Sequence, residues 1–350
     1  MEKIRKSRVS AVLGCAVGLA SAALVLPMPP AAAQGGEISF AGKRVHMLVG
    51  SAPGGGYDTF TRTIAAPIGR HLPGTPPVIV ENMPGAGSLL MTNHLYNVAP
   101  KDGTVVGGVN PQVATLPLVK PEGVRFDPTK LTWLGSALRD TNIGLAWHAT
   151  GIESFDEAFT REMIVGGSGG ATTTFPTFLN AILGTKFKLI SGYKGTREAL
   201  LAMERNETDS NVGITWPSLK ATQPGWLKEN KVRILVQFGM KAHPELPTVP
   251  LISKYAKNDE QMSAMNLVFA RQEFGRPYAG PPGLSPEVTA VWRKAFDATM
   301  ADPEFLAEAG KRKLDIDPLD GRSIETLIAG LHKTPKPILD RVKEFLADSD

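Results

Sequence analysis

The residues with the clearest chemical use in this 350-residue chain are glycines. Pro53-Gly54-Gly55-Gly56-Tyr57-Asp58 follows the apolar run Val45-His46-Met47-Leu48-Val49-Gly50, and a helix pattern opens behind it at Thr59. Gly166-Gly167-Ser168-Gly169-Gly170-Ala171-Thr172-Thr173-Thr174 stands in the same position, between an apolar run at 163–165 and a helix pattern from Phe175. Glycine has no Cβ and accepts φ > 0, so such a loop lets backbone approach a ligand closely. The N–H groups at a helix start carry partial positive charge, which suits an anion.

More elaborate chemistry finds no pattern to carry it. The triplet is neither G-x-x-x-x-G-K-[ST] nor G-x-G-x-x-G, so the phosphate and dinucleotide fingerprints are missing. Gly167-Ser168-Gly169 lacks the spacing of a G-x-S-x-G nucleophile elbow. His46, His71, His94, His148, His243 and His332 are scattered, with no pair at metal-ligand spacing. Asp315, Asp317 and Asp320 before Gly321 lack the spacing and closing Glu of a calcium loop and read as a turn between helices. No cofactor and no metal is expected.

The elements that must hold these loops alternate along the chain. Strand patterns at 44–49, 77–82 and 104–109 enclose helix patterns at 59–71 and 88–98. A second series follows, with strands at 143–147, 163–165, 188–190, 212–214 and 231–238 and helices at 154–160, 175–183 and 196–205. Helix patterns at 286–301, 303–309, 323–331 and 335–347 close the chain. This alternation predicts an α/β architecture with mainly parallel sheets. Two glycine loops at helix starts, far apart in sequence, predict two lobes facing one crevice at the carboxyl ends of parallel strands.

The first residues have a separate purpose. Lys3, Arg5, Lys6 and Arg8 precede an apolar stretch from Ala11 to Leu26, then Pro27-Met28-Pro29-Pro30 and a small-residue cleavage pattern at Ala31-Ala32-Ala33. This is the pattern of a secretory signal peptide, residues 1–33, and it places the mature protein in the periplasm. The prolines interrupt the stretch before it reaches the length of a membrane span. Cleavage removes four basic residues and Glu2, so the formal charge of +4 falls to +1. The basic character belongs to the targeting segment, and no Lys/Arg stripe remains to suggest nucleic acid. Cys15 is the single cysteine, so the mature chain folds without disulfides and needs a sizeable core.

The chain resembles a known family over nearly its whole mature length. The glycine loop at 53–58, Val80-Glu81-Asn82-Met83-Pro84-Gly85-Ala86-Gly87 and Ala99-Pro100-Lys101-Asp102-Gly103-Thr104 look like the N-terminal signature of tripartite tricarboxylate transporter solute-binding proteins, the Bug family. Phe126-Asp127-Pro128, Gly167-Ser168-Gly169-Gly170, Tyr193-Lys194-Gly195, Leu246-Pro247-Thr248-Val249-Pro250 and Ala301-Asp302-Pro303-Glu304-Phe305 continue it in order. Each motif alone is weak; the ordered set is specific.

The resemblance implies a two-lobed periplasmic binding protein (type II, Venus-flytrap) that closes over a small organic acid and presents it to membrane permease subunits. It implies a monomer and no enzyme activity. Residues 34–137 would form lobe 1, residues 138–250 lobe 2, and residues 251–350 the return to lobe 1 with the C-terminal helices. In the family the anion is held mainly by backbone amides and small polar side chains. Gly54, Gly55, Gly56, Tyr57 and Asp58 would then line the site from one lobe, with Asp58 read as a cap or turn acceptor because a free carboxylate would repel an anion. Gly85, Ala86, Gly87 and Ser88 would form a second helix start beside them, and Gln112 would point into the cleft. Ser168, Gly169, Gly170, Ala171, Thr172 and Thr173 would supply amides and hydroxyls from the other lobe. Tyr193 and Trp216 would line either the wall of the site or the core.

The sequence departs from the family pattern at Tyr57, Thr172, Thr173, Phe175, Ser191-Gly192 and Trp216, which bears on the choice of solute more than on the fold. A secreted hydrolase using a loop serine, and a receptor feeding a sensor kinase, are the alternative readings.

Overall fold

The computed structural model describes residues 38–347 apart from 52, 55, 169, 194 and 195. The expected signal peptide, and the candidate positions Gly55 and Gly169, lie outside the described residues. From the front of the chain come β1 (Val45–Val49), α1 (Gly56–His71), β2 (Val78–Asn82), α2 (Leu89–Asn97), β3 (Val105–Gly108), a 3-10 turn at Pro111–Ala114, α3 (Leu116–Val119) and β4 (Thr132–Ser136). Then follow β5 (Asn142–Trp147), β6 (Met163–Gly166), α4 (Ala171–Leu183), β7 (Phe187–Ile190), α5 (Thr196–Glu204), β8 (Ser210–Thr215), α6 (Trp216–Thr222), α7 (Pro224–Lys228), β9 (Val232–Gln237) and α8 (Asp259–Phe269). A 3-10 turn at Ala270–Phe274 leads into β10 (Pro277–Gly280), α9 (Pro286–Met300), α10 (Pro303–Lys311), β11 (Leu319–Asp320), α11 (Gly321–Leu331) and α12 (Lys336–Ala347).

These strands form two sheets, one per lobe. The first has the order β11-β4-β10-β3-β1-β2 and the second β7-β6-β8-β5-β9. The mainly parallel sheets expected from the alternation are in fact mixed. β1 runs parallel to β2 and β3, but β10 pairs antiparallel with β3 and β4, and β11 antiparallel with β4. In the second sheet β6 runs parallel to β7 and β8, while β5 pairs antiparallel with β8 and β9. The departure follows from connectivity: β4 leaves the first sheet where β10 re-enters it, so those neighbours run in opposite directions.

Period-2 alternation explains why both faces of the first sheet are covered. Val45, Met47, Val106, Leu134 and Tyr278 point to one face, where they pack with Phe60, Ile64 and Ile68 of α1 and Trp292 and Phe296 of α9. Leu48, Trp133 and Ala279 point to the other, against Met91 and Leu95 of α2 and Ile324 and Ile328 of α11. The second sheet is sandwiched likewise. Phe175, Phe178 and Phe269 cover one face with Val165, Val212 and Val236, while Leu200, Met203, Trp216 and Trp226 cover the other with Ile143, Leu145 and Ile214. Residues 252–270, expected on the return to lobe 1, contribute Ile252, Met265, Val268 and Phe269 to the second lobe's core.

Two crossovers join the lobes and are hydrogen-bonded to each other. Ala137 N–H donates to the Arg276 carbonyl (3.0 Å), Gly275 N–H to Leu138 (2.8 Å) and Asp140 N–H to Gln272 (2.8 Å). The buried Gln272 side chain accepts from Asn142 N–H (2.8 Å) and donates to the Phe238 carbonyl (2.9 Å), so one residue satisfies both ends of the second sheet's entry and exit. A third passage follows α11. That helix packs on β4, whereas α12 packs on α4 and α8.

Candidate functional site

Each sheet holds three mutually aligned strands, and the candidate residues cluster at their carboxyl ends. β1, β2 and β3 end at the loops carrying Gly54–Asp58, Gly85–Ser88 and Gln112; β6, β7 and β8 end at Ser168–Gly170, Tyr193 and Trp216. This is the edge where open α/β sheets bind ligands.

In the first loop Asp58 is a staple. Its buried carboxylate accepts from Gly54 N–H (2.8 Å), from Asn82 Nδ2 (2.8 Å) and from Arg62 Nε one helical turn along (2.9 Å). Asn82 Nδ2 also donates to the Ser51 carbonyl (3.0 Å), which ties the end of β2 to the same loop. Burial alone would raise the Asp58 carboxyl; the Arg62, Gly54 and Asn82 donors outweigh it and hold the group below the usual carboxylate range. With its oxygens filled, Asp58 shapes the glycine loop. Gly54 and Gly56 are exposed beside it.

The second loop has an unusual backbone. Gly85, Ala86, Gly87 and Ser88 all have positive φ (150°, 44°, 60° and 75°). The left-handed φ of Gly87 favours glycine, and a Cβ there would displace the Gln112 amide, whose Nε2 donates to the Gly87 carbonyl (2.9 Å). Ser88 is buried, and its hydroxyl donates to the Gly50 carbonyl (3.1 Å) while accepting from Asn110 N–H (3.1 Å). Ser88 and Gln112 thus lock the loops after β1, β2 and β3 together.

Tyr57 faces a group that the sequence did not single out. The Arg276 guanidinium lies over its ring, 4.5 Å from the centroid, and 5.2 Å from that of Phe60. Arg276 also donates to Asp140 (3.3 Å) and to the Gly275 carbonyl (2.7 Å). Asp140 and Arg276 stand on the two crossovers, so their ion pair clasps both beside the glycine loop. Burial pushes the Tyr57 phenol up to about 12 and raises the Asp140 carboxyl despite its partner. Among the described residues Ser51 Oγ and Arg276 Nε are buried without a hydrogen-bond partner. Arg276 lies in Arg-Gln-Glu-Phe-Gly-Arg, which reads locally as a solvated loop; only the crossover geometry reveals it.

In the second lobe Ser168 N–H donates to Thr172 Oγ1 (2.9 Å), and the two hydroxyls lie 3.3 Å apart. Thr172 is buried, whereas Gly170 is exposed and Ala171 and Thr173 part-buried. α4 begins at Ala171, earlier than the pattern from Phe175 suggested, and its start rests on Gly213 of β8. There φ is +110° and a Cβ would stand 2.5 Å from the Ala171 carbonyl oxygen, so only glycine admits the helix. Tyr193 is part-buried with its ring edge against Gly166. Trp216 turns inward: it is 6% exposed, belongs to the cluster with Leu219 and Trp226, and its indole donates to Glu245 Oε2 (2.6 Å). The alternative of wall or core falls on the core side for Trp216.

Residues 61–343 match the family model described as tripartite tricarboxylate transporter family receptor. The UPF0065 protein in the gbd 5'region of Cupriavidus necator is 25% identical over 347 residues, spanning 93% of this chain and 95% of that protein. Among solved structures, a TctC solute binding protein from Polaromonas, without ligand, superposes with a TM-score of 0.69 at 15% identity, covering 89% of this chain and 100% of that one. The R. palustris protein Rpa4515 with adipate superposes with a TM-score of 0.55 at 16% identity, covering 85% and 97%. At these identities the two structures speak for the fold.

Proposed function

Because this chain belongs to the tripartite tricarboxylate transporter family of receptors, we propose that it captures a small carboxylate in the periplasm and delivers it to the membrane permease of such a transporter. The observation that carries this reading is the pairing of two sets of loops at the carboxyl ends of parallel strands, one set per lobe, joined by adjacent crossovers. Glycine-rich backbone with Ser and Thr hydroxyls offers donors to an anion without a catalytic base or nucleophile. The adipate on Rpa4515 supports a carboxylate as the class of solute.

In this reading the lobes hinge at residues 137–141 and 270–276. A solute bridging both lobes favours the closed form, because it gains contacts there that the open form lacks. The protein acts as a monomer, exported by residues 1–33, and releases its solute unchanged.

Thermal unfolding of the mature protein against mono-, di- and tricarboxylates and aromatic acids tests the proposal. One or a few acids should raise the melting temperature by mass action and be recovered intact. No shift with any acid, or conversion of a bound acid into product, would overturn it. Mass spectrometry of the solute that co-purifies identifies the compound directly.

A further inference from the structure

β10 runs antiparallel to both β3 and β4, and its Pro277 and Tyr278 register with Ser136 and Gly108, the last residues of those strands. Arg276, the residue before β10, is thereby delivered to the edge that carries the glycine loops, although those loops belong to the front of the chain. Its backbone is fixed there: Arg276 N–H donates to Ser136 Oγ (3.1 Å), and Val109 N–H to the Pro277 carbonyl (3.0 Å).

The side chain is held from two sides. The guanidinium lies over the Tyr57 ring, and its hydrogen bonds to Asp140 Oδ2 (3.3 Å) and to the Gly275 carbonyl (2.7 Å) both leave from Nη1. Nη2 is turned to the glycine loop, 3.7 Å from the place where a Cβ on Gly56 would stand. Beyond the local backbone, no other heavy atom of the described residues lies within 4 Å of that place. The space beside Gly56 is therefore open and bordered by a cation. Gly54 and Gly56 are exposed there, and the Arg276 side chain keeps 20% of its surface, so a solute can reach it. Arg276 Nε is buried without a partner among the described residues, so the Asp140 pair does not use up the guanidinium's donors.

We propose that Arg276 is a specificity residue of the solute site: its Nη2 donates to a carboxylate oxygen seated beside Gly56, while Asp140 and Tyr57 hold the guanidinium in position. This rests on the receptor reading above and adds a cation to loops otherwise made of amides and hydroxyls. A guanidinium already pinned by a ring and a carboxylate loses little rotamer freedom when the solute arrives. Asp140 shares its charge, so the gain comes from a charge-assisted hydrogen bond at contact distance rather than from long-range attraction. The contact therefore discriminates an acid from its uncharged amide of the same shape.

The test compares wild type with Gly56→Ala, Arg276→Gln and Arg276→Lys. Each is melted without solute and titrated calorimetrically with the acids that stabilise the wild type and with the primary amides of the same acids. Gly56 opens α1 without a left-handed φ, and an alanine methyl there meets Nη2 at an ordinary contact distance. Gly56→Ala should therefore melt at the wild-type temperature or above it, yet lose at least about 10-fold in affinity for the acid because the methyl takes the seat. Arg276→Gln should melt lower, since Asp140 loses its partner. It should bind the acid about 10–100-fold more weakly, the size of one lost charge-assisted contact, and the amide nearly as well as wild type does. Arg276→Lys, which keeps a cation, should recover part of the preference for acid over amide. Equal losses for acid and amide in Arg276→Gln would mean structural damage and overturn the assignment. Unchanged acid affinity in Gly56→Ala also overturns it, leaving the receptor reading intact. A wild type that binds no carboxylate overturns the receptor reading and this assignment with it.

Discussion

Tyr57 and Asp58 are adjacent in one loop and do different work. The Asp58 oxygens are filled by Gly54, Arg62 and Asn82, so the carboxylate organises backbone, while Tyr57 meets Arg276 of the crossover. Asp58→Ala should therefore lower unfolding stability by about 1–3 kcal/mol at neutral pH. The folded carboxyl is depressed, so its contribution is complete above the unfolded pKa of about 3.9 and is lost as pH falls through the folded value. Urea unfolding of wild type and variant from pH 7 to pH 3 should show the difference shrinking toward acid; a constant difference would contradict the staple. Ala86 predicts the opposite sign. It holds φ 44° without being glycine, so Ala86→Gly should stabilise by up to about 1 kcal/mol in the same assay. The turn-acceptor part of Asp58 was legible in the sequence because Gly54 and Arg62 are local, whereas its bond from Asn82, farther along the chain, was not. Trp216 was not, since its partner Glu245 lies across the fold with no pattern linking them.

At the scale of elements, the alternation was legible where apolar runs are long and flanked by glycine or proline, as in β1, β2, β3 and α1. β4 and β10 escaped it. β10 reads Pro-Tyr-Ala-Gly, short and rich in strand breakers, yet all four residues are buried because neighbours on both edges supply its pairing. α8 was missed as well, although Asn258 caps it by accepting from Gln261 N–H. The start of α10 was legible as Asp302-Pro303. Asp302 accepts from Glu304 N–H (2.8 Å), and Arg70 Nη2 (2.9 Å) and His71 Nε2 (3.0 Å) lie on its other oxygen. Burial works against that carboxyl, but His71, Arg70 and the two amides bring it down to about 2. Asp302→Ala should cost about 1 kcal/mol of stability, the usual worth of an N-cap, measured by chemical denaturation. A variant as stable as wild type would show that the Pro303 start suffices.

For the whole molecule, the two-lobed plan was legible from the repeated strand, glycine loop and helix, but the hinge was not. It is built from hydrogen bonds between segments over a hundred residues apart, and such pairing leaves no local periodicity. Gln272 concentrates that dependence. Gln272→Leu should strand the Asn142 N–H and the Phe238 carbonyl, costing about 2–4 kcal/mol, and the loss should appear as one cooperative transition moved to lower temperature. Unfolding in two separate steps would show that the lobes do not depend on this residue.

The third passage of the chain has a practical side. Phe40, near the beginning of the described residues, sits in the first lobe's core and its N–H donates to the Pro73 carbonyl (2.8 Å), whereas Ile338 and Val342 near the end sit in the second lobe's core. The first and last described parts of the chain thus contribute to the cores of different halves. Dyes attached at surface positions next to Phe40 and Val342 would be carried with those halves, and energy transfer between them would read out solute capture without altering a residue in the cleft.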